Sequence, residues 1–116
     1  MAGRFPGAEN IERFWENLCG GVESIRRFQP EELEEPEAEE SRQPNYVRAR
    51  GILDGVEEFD AAFFGMHPTE AELTDPQHRV FLECSWEALE NAGVDPEACS
   101  GAIGVFAGCS PSTYFL

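Results

Sequence analysis

Long apolar runs are missing from this sequence. No stretch approaches the ~20 apolar residues that span a bilayer. The opening Met1-Ala2-Gly3-Arg4-Phe5-Pro6 lacks the apolar core of a secretory signal. Basic residues are scarce: eight, all arginine, against 23 Asp and Glu, for a net charge of −15. Phosphate backbones are bound by clustered cations. That balance argues against nucleic acid and anionic membrane surfaces as partners. Paired cysteines are missing too. Cys19, Cys84, Cys99 and Cys109 are scattered, with no C-x-x-C spacing, and only His67 and His78 accompany them. No metal-binding spacing follows. The expectation is a cytoplasmic protein with reduced thiols.

What is present suits a single small domain at most, with 116 residues and 41% hydrophobic content. Much of the acidity is local. Seven Glu fall within residues 31–40, with no basic residue among them. Such a block repels itself and buries nothing, so a solvated, mobile acidic segment is expected at about 29–43. An acidic tail for a basic partner is the functional reading of the same block.

Helical signals are clear at four places. Ile11, Phe14, Trp15 and Leu18 form one apolar stripe, with Asn10 as a cap and Gly20-Gly21 as a stop. Phe59, Phe63 and Phe64 suit a short helical piece ended by Gly65, and Pro68 opens another through about Leu73. The best-specified helix runs from Pro76 to Ala92, between Asp75 as cap and Gly93 as stop. It is ~25 Å long. Glu83, Glu87 and Glu90 share one narrow face with Arg79 beside them. Apolar residues cover most of the rest, more than the single stripe of a surface helix. This helix needs neighbours on at least two sides.

Pro44-Asn45-Tyr46-Val47 reads as extended chain, and Gly51 to Gly55 as a turn-rich connection. Ile103 to Ala107 reads as a strand buried on both faces. One strand makes no sheet, because its edges carry unpaired backbone groups. The pattern is that of a piece of a larger α/β domain.

The order of short motifs resembles the modular ketosynthases of polyketide synthases. The landmarks are Pro44 to Val47, Phe59-Asp60-Ala61-Ala62-Phe63-Phe64-Gly65, Glu70-Ala71-Glu72, Asp75-Pro76-Gln77-His78-Arg79, Glu83 to Gly93, and Gly104-Val105-Phe106-Ala107-Gly108. Met1 to Ala8 and Asn10 to Leu18 resemble the family's segment after its first strand and its first helix. His78 stands where Gln is commoner, His67 where Ser is usual, and Cys109 where small residues are common. With His67 in that place, the cap expected before Pro68 is weakened.

The resemblance implies an incomplete N-terminal portion of a thiolase-like (αβαβα) fold spanning residues 1–116. It implies mostly helices and loops plus one buried strand near the C-terminus. It also implies a decarboxylative Claisen condensation in the parent enzyme, an acyltransferase of the beta-ketoacyl synthase type. The acyl groups ride on the phosphopantetheine of an acyl carrier protein, and the parent is a homodimer with further synthase domains. The family's nucleophile lies in a Thr-Ala-Cys-Ser-Ser run, followed by two His motifs. None of these is in the chain, so no catalytic, cofactor-binding or metal residue is expected here, and the chain alone should be inactive.

Other readings weigh less. Gly108-Cys109-Ser110 imitates a nucleophile elbow, but no helix of useful length follows it. His78 sits in the first turn of a helix, where the dipole disfavours a charged imidazole, and His67 is similar. Arg79 is expected to pair with Glu83 one turn on, or with another part of the domain. Glu83, Glu87 and Glu90 read as a solvated face. The alternative to a ketosynthase segment is a stand-alone acidic interaction module without catalysis.

Overall fold

The first helix begins where its cap says it should. In the computed structural model, which describes residues 1–33, 39–112 and 114, α1 spans Ile11–Gly20. Asn10 Oδ1 accepts from the Arg13 amide at 2.8 Å. Gly21 ends the helix with φ 64, a left-handed conformation that costs glycine little.

The chain divides into two compact units, Phe5–Asp54 and Met1–Arg4 with Gly55–Leu116. In the first, Phe5 and Ala8 exchange backbone hydrogen bonds at 2.8 and 2.9 Å. That tight loop buries Ala8 and stacks Phe5 on Phe14 of α1, with ring centroids 4.0 Å apart. Asn17 of α1 donates to the Gly7 carbonyl at 2.8 Å, closing the loop onto the helix.

The same unit holds an antiparallel ribbon that no sequence pattern announced. Strand β1, Arg26–Arg27, pairs with β2, Ala49–Arg50, in the register Arg26 to Arg50 and Arg27 to Ala49. The Phe28 amide continues it by donating to the Arg48 carbonyl at 2.9 Å. Beyond β1, Pro30–Glu32 forms a single 3-10 turn. Glu32 accepts from the Gln29 amide and from Arg26, both at 2.7 Å. The acidic segment expected to be solvated is therefore tied down at this end, and Ser41 near its other end is buried. Residues 34–38 of that segment lie outside the described residues. Pro44 to Val47, expected to be extended, opens as a turn in which the Tyr46 amide donates to the Gln43 carbonyl.

In the second unit, the expected helical piece at Phe59 to Phe64 is one turn. Asp60 Oδ1 accepts from the Phe63 amide at 3.0 Å, and Gly65 closes the turn at φ 67. Helix α2 spans Pro68–Leu73 and α3 spans Pro76–Ala92, both with the bounds the sequence suggested. His67 does cap α2: its Nδ1 accepts from the Thr69 amide at 3.3 Å. An imidazole nitrogen offers the same lone pair there that a serine oxygen would. Asp75 caps α3 through the Gln77 amide at 2.8 Å, and Gly93 stops it at φ 64.

Trp86 of α3 meets Phe63 edge-on at 4.8 Å, and Phe63 and Phe59 both contact Phe64. This aromatic turn is one of the neighbours that α3 requires.

Residues 103–107 form no strand, contrary to expectation. Val105 is 74% and Phe106 98% exposed. A strand exists by pairing, and no described segment hydrogen-bonds to this one, so an apolar run with β-forming residues stays single.

Candidate functional site

The acidic face of α3 is not simply solvated. Arg4 lays its guanidinium against it, donating Nη1 to Glu87 Oε2 at 2.8 Å and Nη2 to Glu87 Oε1. Glu83, one turn earlier, is 3.8 Å from Arg4 Nη2. The fork matches the carboxylate at both oxygens, the strongest geometry an arginine offers. Asn91 Nδ2 adds a hydrogen bond to the Met1 carbonyl at 3.0 Å. The N-terminal segment is thus a second neighbour for α3, and Glu90 alone of the three glutamates keeps an exposed place.

This network shapes the titration of its members. The hydrogen bond from Arg4 holds Glu87 below the usual carboxylate range, and Glu87 in turn holds the guanidinium protonated. Burial pushes the thiol of neighbouring Cys84 up, and Glu87 and Glu83 push it the same way against Arg4. A raised thiol is a poorer nucleophile at neutral pH. A folded-state pKa below the unfolded one contributes stability above the ordinary carboxylate pKa, and that stability is lost as pH falls through the folded value. The Arg4 contact is therefore expected to loosen only as pH falls below the ordinary carboxylate range. The Arg4 side-chain NMR resonance should lose its bound shift on acidification in the native chain. In Glu87→Gln that acid-dependent change should be absent. A bound shift that persists once the carboxylates are fully protonated would refute the assignment.

Arg79 does not pair with Glu83. It is buried, with 7% exposure, and its Nε has no hydrogen-bond partner. None of the ion pairs among the described residues includes it. Glu83 is turned instead to Arg4, a pairing invisible to helical spacing.

The segment after residue 108 returns to the N-terminal end of α3. The Gln77 carboxamide brackets Ser110, donating to its carbonyl and accepting from its amide, each at 3.2 Å. Ser112 Oγ donates to Asp75 Oδ2 at 2.5 Å, and Tyr114 Oη donates to the Glu72 carbonyl at 2.9 Å. The Ser112 hydroxyl and then the Gln77 amide hold Asp75 below its usual range. In the sequence Asp75 reads as a helix cap and, with Gln77, as part of a family landmark; their side chains also fix the path of a remote loop.

Cys109 sits at the edge of this clasp and is exposed, as are Cys19 and Cys99. No base is hydrogen-bonded to it among the described residues. His67 is occupied as a cap, and His78 is exposed. No group of three or more His, Cys, Asp or Glu could hold a metal ion among the described residues. No described helix is long and apolar enough to cross a membrane. Among the described residues, the arrangement positions chain segments.

Comparison with known proteins identifies what such a scaffold belongs to. The family model described as "Beta-ketoacyl synthase, N-terminal domain" matches residues 1–115. The chain belongs to the beta-ketoacyl synthase family. This ketosynthase segment is 50% identical over 118 residues to a component of the phenolphthiocerol/phthiocerol polyketide synthase of Mycobacterium tuberculosis. That match takes in 100% of the segment and 8% of the relative. It is 43% identical to the pikromycin polyketide synthase component PikAII of Streptomyces venezuelae, over 98% of the segment and 3% of the relative.

Among solved structures it resembles the ketosynthase from module 6 of the bacillaene synthase of Bacillus subtilis. The TM-score is 0.68 at 37% identity, covering 81% of the segment and 16% of that chain. The module 1 ketosynthase of the Bacillus amyloliquefaciens bacillaene synthase gives a TM-score of 0.63 at 44% identity, covering 78% and 16%. The fold is the N-terminal portion of the thiolase-like ketosynthase architecture, as the motif order implied. The segment spans less than a tenth of the curated relatives and under a fifth of these ketosynthase chains.

Proposed function

We propose that this chain is the N-terminal scaffold of a polyketide synthase ketosynthase, a condensing acyltransferase. The observation that carries this reading is the family match across residues 1–115. In the proposed parent, an acyl group passes from a carrier protein's phosphopantetheine thiol to a cysteine thiolate. Loss of CO2 from a malonyl-type thioester gives an enolate, which attacks the acyl carbonyl and expels the cysteine thiolate. Such chemistry rests on an activated nucleophile and preorganised donors to the developing oxyanion.

This chain's own residues would contribute position. Arg4 with Glu87 fixes the N-terminal segment on α3, and Gln77 with Asp75 fixes the loop after residue 108. Half-exposed Phe81 and Trp86 on α3, and exposed Val105 and Phe106, would be covered by further parts of the domain. Homodimerisation, a cytoplasmic location and the carrier-protein partner belong to the same proposal.

Two outcomes are expected. The purified chain, given acyl- and malonyl-carrier proteins, should form no β-ketoacyl product by mass spectrometry. The encoding DNA should continue in frame past the codon for Leu116 into a Thr-Ala-Cys-Ser-Ser run and two later His motifs. A stop codon directly after Leu116 would overturn the proposal, as would product formed by the chain alone.

A further inference from the structure

Charge is divided along this chain with a sharp edge. All eight arginines and all 23 acidic residues lie before Ala98, and no charged side chain occurs from Ala98 to Leu116. Two copies of a chain with net charge −15 repel one another. The charge-free run is where that repulsion is weakest. Natural sheet edges are guarded by charged side chains, and this run has none.

Within the run, residues 101–109 are all exposed, Val105 by 74% and Phe106 by 98%. None of them makes a backbone hydrogen bond among the described residues. Both flanks are fixed within the same unit. On one side the Val94 amide donates to the Leu89 carbonyl at 3.0 Å, just past the end of α3. On the other, Gln77 brackets Ser110, and Ser112 donates to Asp75. A segment tethered at both ends loses less freedom on pairing than a free tail. Its unused donors and acceptors are the groups that strand addition employs.

The side-chain order of the run is complementary to itself. Successive side chains in an extended segment alternate between faces. In an antiparallel pair of two copies centred on Val105, residue 104 of one copy opposes residue 106 of the other, and 103 opposes 107. Each Phe106 then faces a Gly104, and each Ile103 faces an Ala107. Large meets small at both pairs, and an aromatic ring covers a strand glycine. Within one copy the ring lies near its own glycine: a Cβ added to Gly104 would be 3.2 Å from Phe106 Cε2. Centring on Phe106 would instead oppose Gly104 to Gly108, with no side chain to cover either. Pairing about Val105 presents the same patch from both copies, so a two-fold axis closes it as a dimer.

We infer that residues 101–109 are a self-recognition edge, through which a second copy of this chain pairs antiparallel about Val105. The inference is independent of the proposed condensing function, whose failure would leave its test unchanged.

The test is sedimentation equilibrium of the full chain over a concentration series, under reducing conditions so that Cys109 does not link copies. A reversible dimer is expected. It should tighten with added salt, which screens the repulsion between acidic chains, the opposite of an ion-paired interface. Val105→Glu and Val105→Lys each set like charges opposite one another and should dimerise about tenfold or more weakly. Mixed one to one, they set Glu opposite Lys, and the dimer should return. Trp15→Lys, at an exposed apolar residue of α1, should dimerise like the native chain. Far-UV circular dichroism checks that each variant keeps its helices. Phe106→Ser, also expected to weaken the dimer, decides the matter if a charged variant unfolds. A native chain that stays monomeric at millimolar concentration would overturn the proposal. So would single Val105 variants that dimerise like the native chain, a mixture that stays monomeric, loss of the dimer in Trp15→Lys, or open-ended aggregates in place of a dimer.

Discussion

Replacing Arg79 with methionine is expected to make the chain harder to unfold. A buried donor without a hydrogen-bond partner has lost its hydration and received little in return. Arg79 is 7% exposed, and its Nε has no hydrogen-bond partner. Methionine keeps an unbranched apolar stem without the guanidinium. A buried donor left unsatisfied costs about 1–3 kcal/mol, and a gain of up to that size is expected on its removal. The measurement is the urea midpoint of far-UV ellipticity for Arg79→Met against the native chain. A lower midpoint would show that Arg79 has a stabilising partner in this chain after all. In an intact ketosynthase domain the sign is expected to reverse, because further segments can place a carboxylate or carbonyl against the guanidinium. The pair of measurements separates a residue that this chain needs from one that the larger domain needs.

Adding one methyl group at residue 51 should have a comparably large effect in the other direction. A Cβ built on Gly51 would lie 2.7 Å from Cγ of Pro6 and 3.4 Å from its Cβ, with Ile25 Cδ1 at 3.8 Å. Pro6 cannot swing away, since its ring is closed and its loop is clamped by the exchanged hydrogen bonds of Phe5 and Ala8. The insertion must therefore move backbone. Overpacking of this kind costs about 1–3 kcal/mol. Gly51→Ala should lower the urea midpoint accordingly. It should also speed amide exchange at Phe5 and Ala8 more than at α3 residues. An unchanged midpoint would mean that the Phe5–Ala8 loop is not held against residue 51 in solution. Gly21 gives the contrast: no atom lies within 4 Å of its added Cβ, so any cost there comes from its left-handed backbone alone.

The helices were legible because their signals are local. Asn10, Asp75, Gly21 and Gly93 act within a turn of where they stand, and proline at the first position fixes its own φ. The cap by His67 was hidden only because serine is the commoner residue for that task. The ribbon was illegible for a different reason. Two-residue strands made of Arg26-Arg27 and Ala49-Arg50 show no apolar alternation, so nothing in their composition announces pairing. The run at 103–107 shows the reverse error, since β-forming residues make a strand only when another strand meets them.

Charge was the least legible property of all. Helical spacing joined Arg79 to Glu83, yet Arg4 claims Glu83 and Glu87, the latter from 83 positions away. The spacing rule counts neighbours along one helix and says nothing of a segment that arrives from elsewhere.

By itself, then, the sequence determined the three helices, the caps of α1 and α3, and membership of the ketosynthase family. Each of these depends on residues acting over a few positions or on the order of short motifs. Only the tertiary structure decided which carboxylates hold arginines and which arginine is buried outside the ion pairs of the described residues. Ion pairs and burial depend on distances between segments remote in sequence. Those distances are set by the packing of the whole chain and cannot be read from any local pattern.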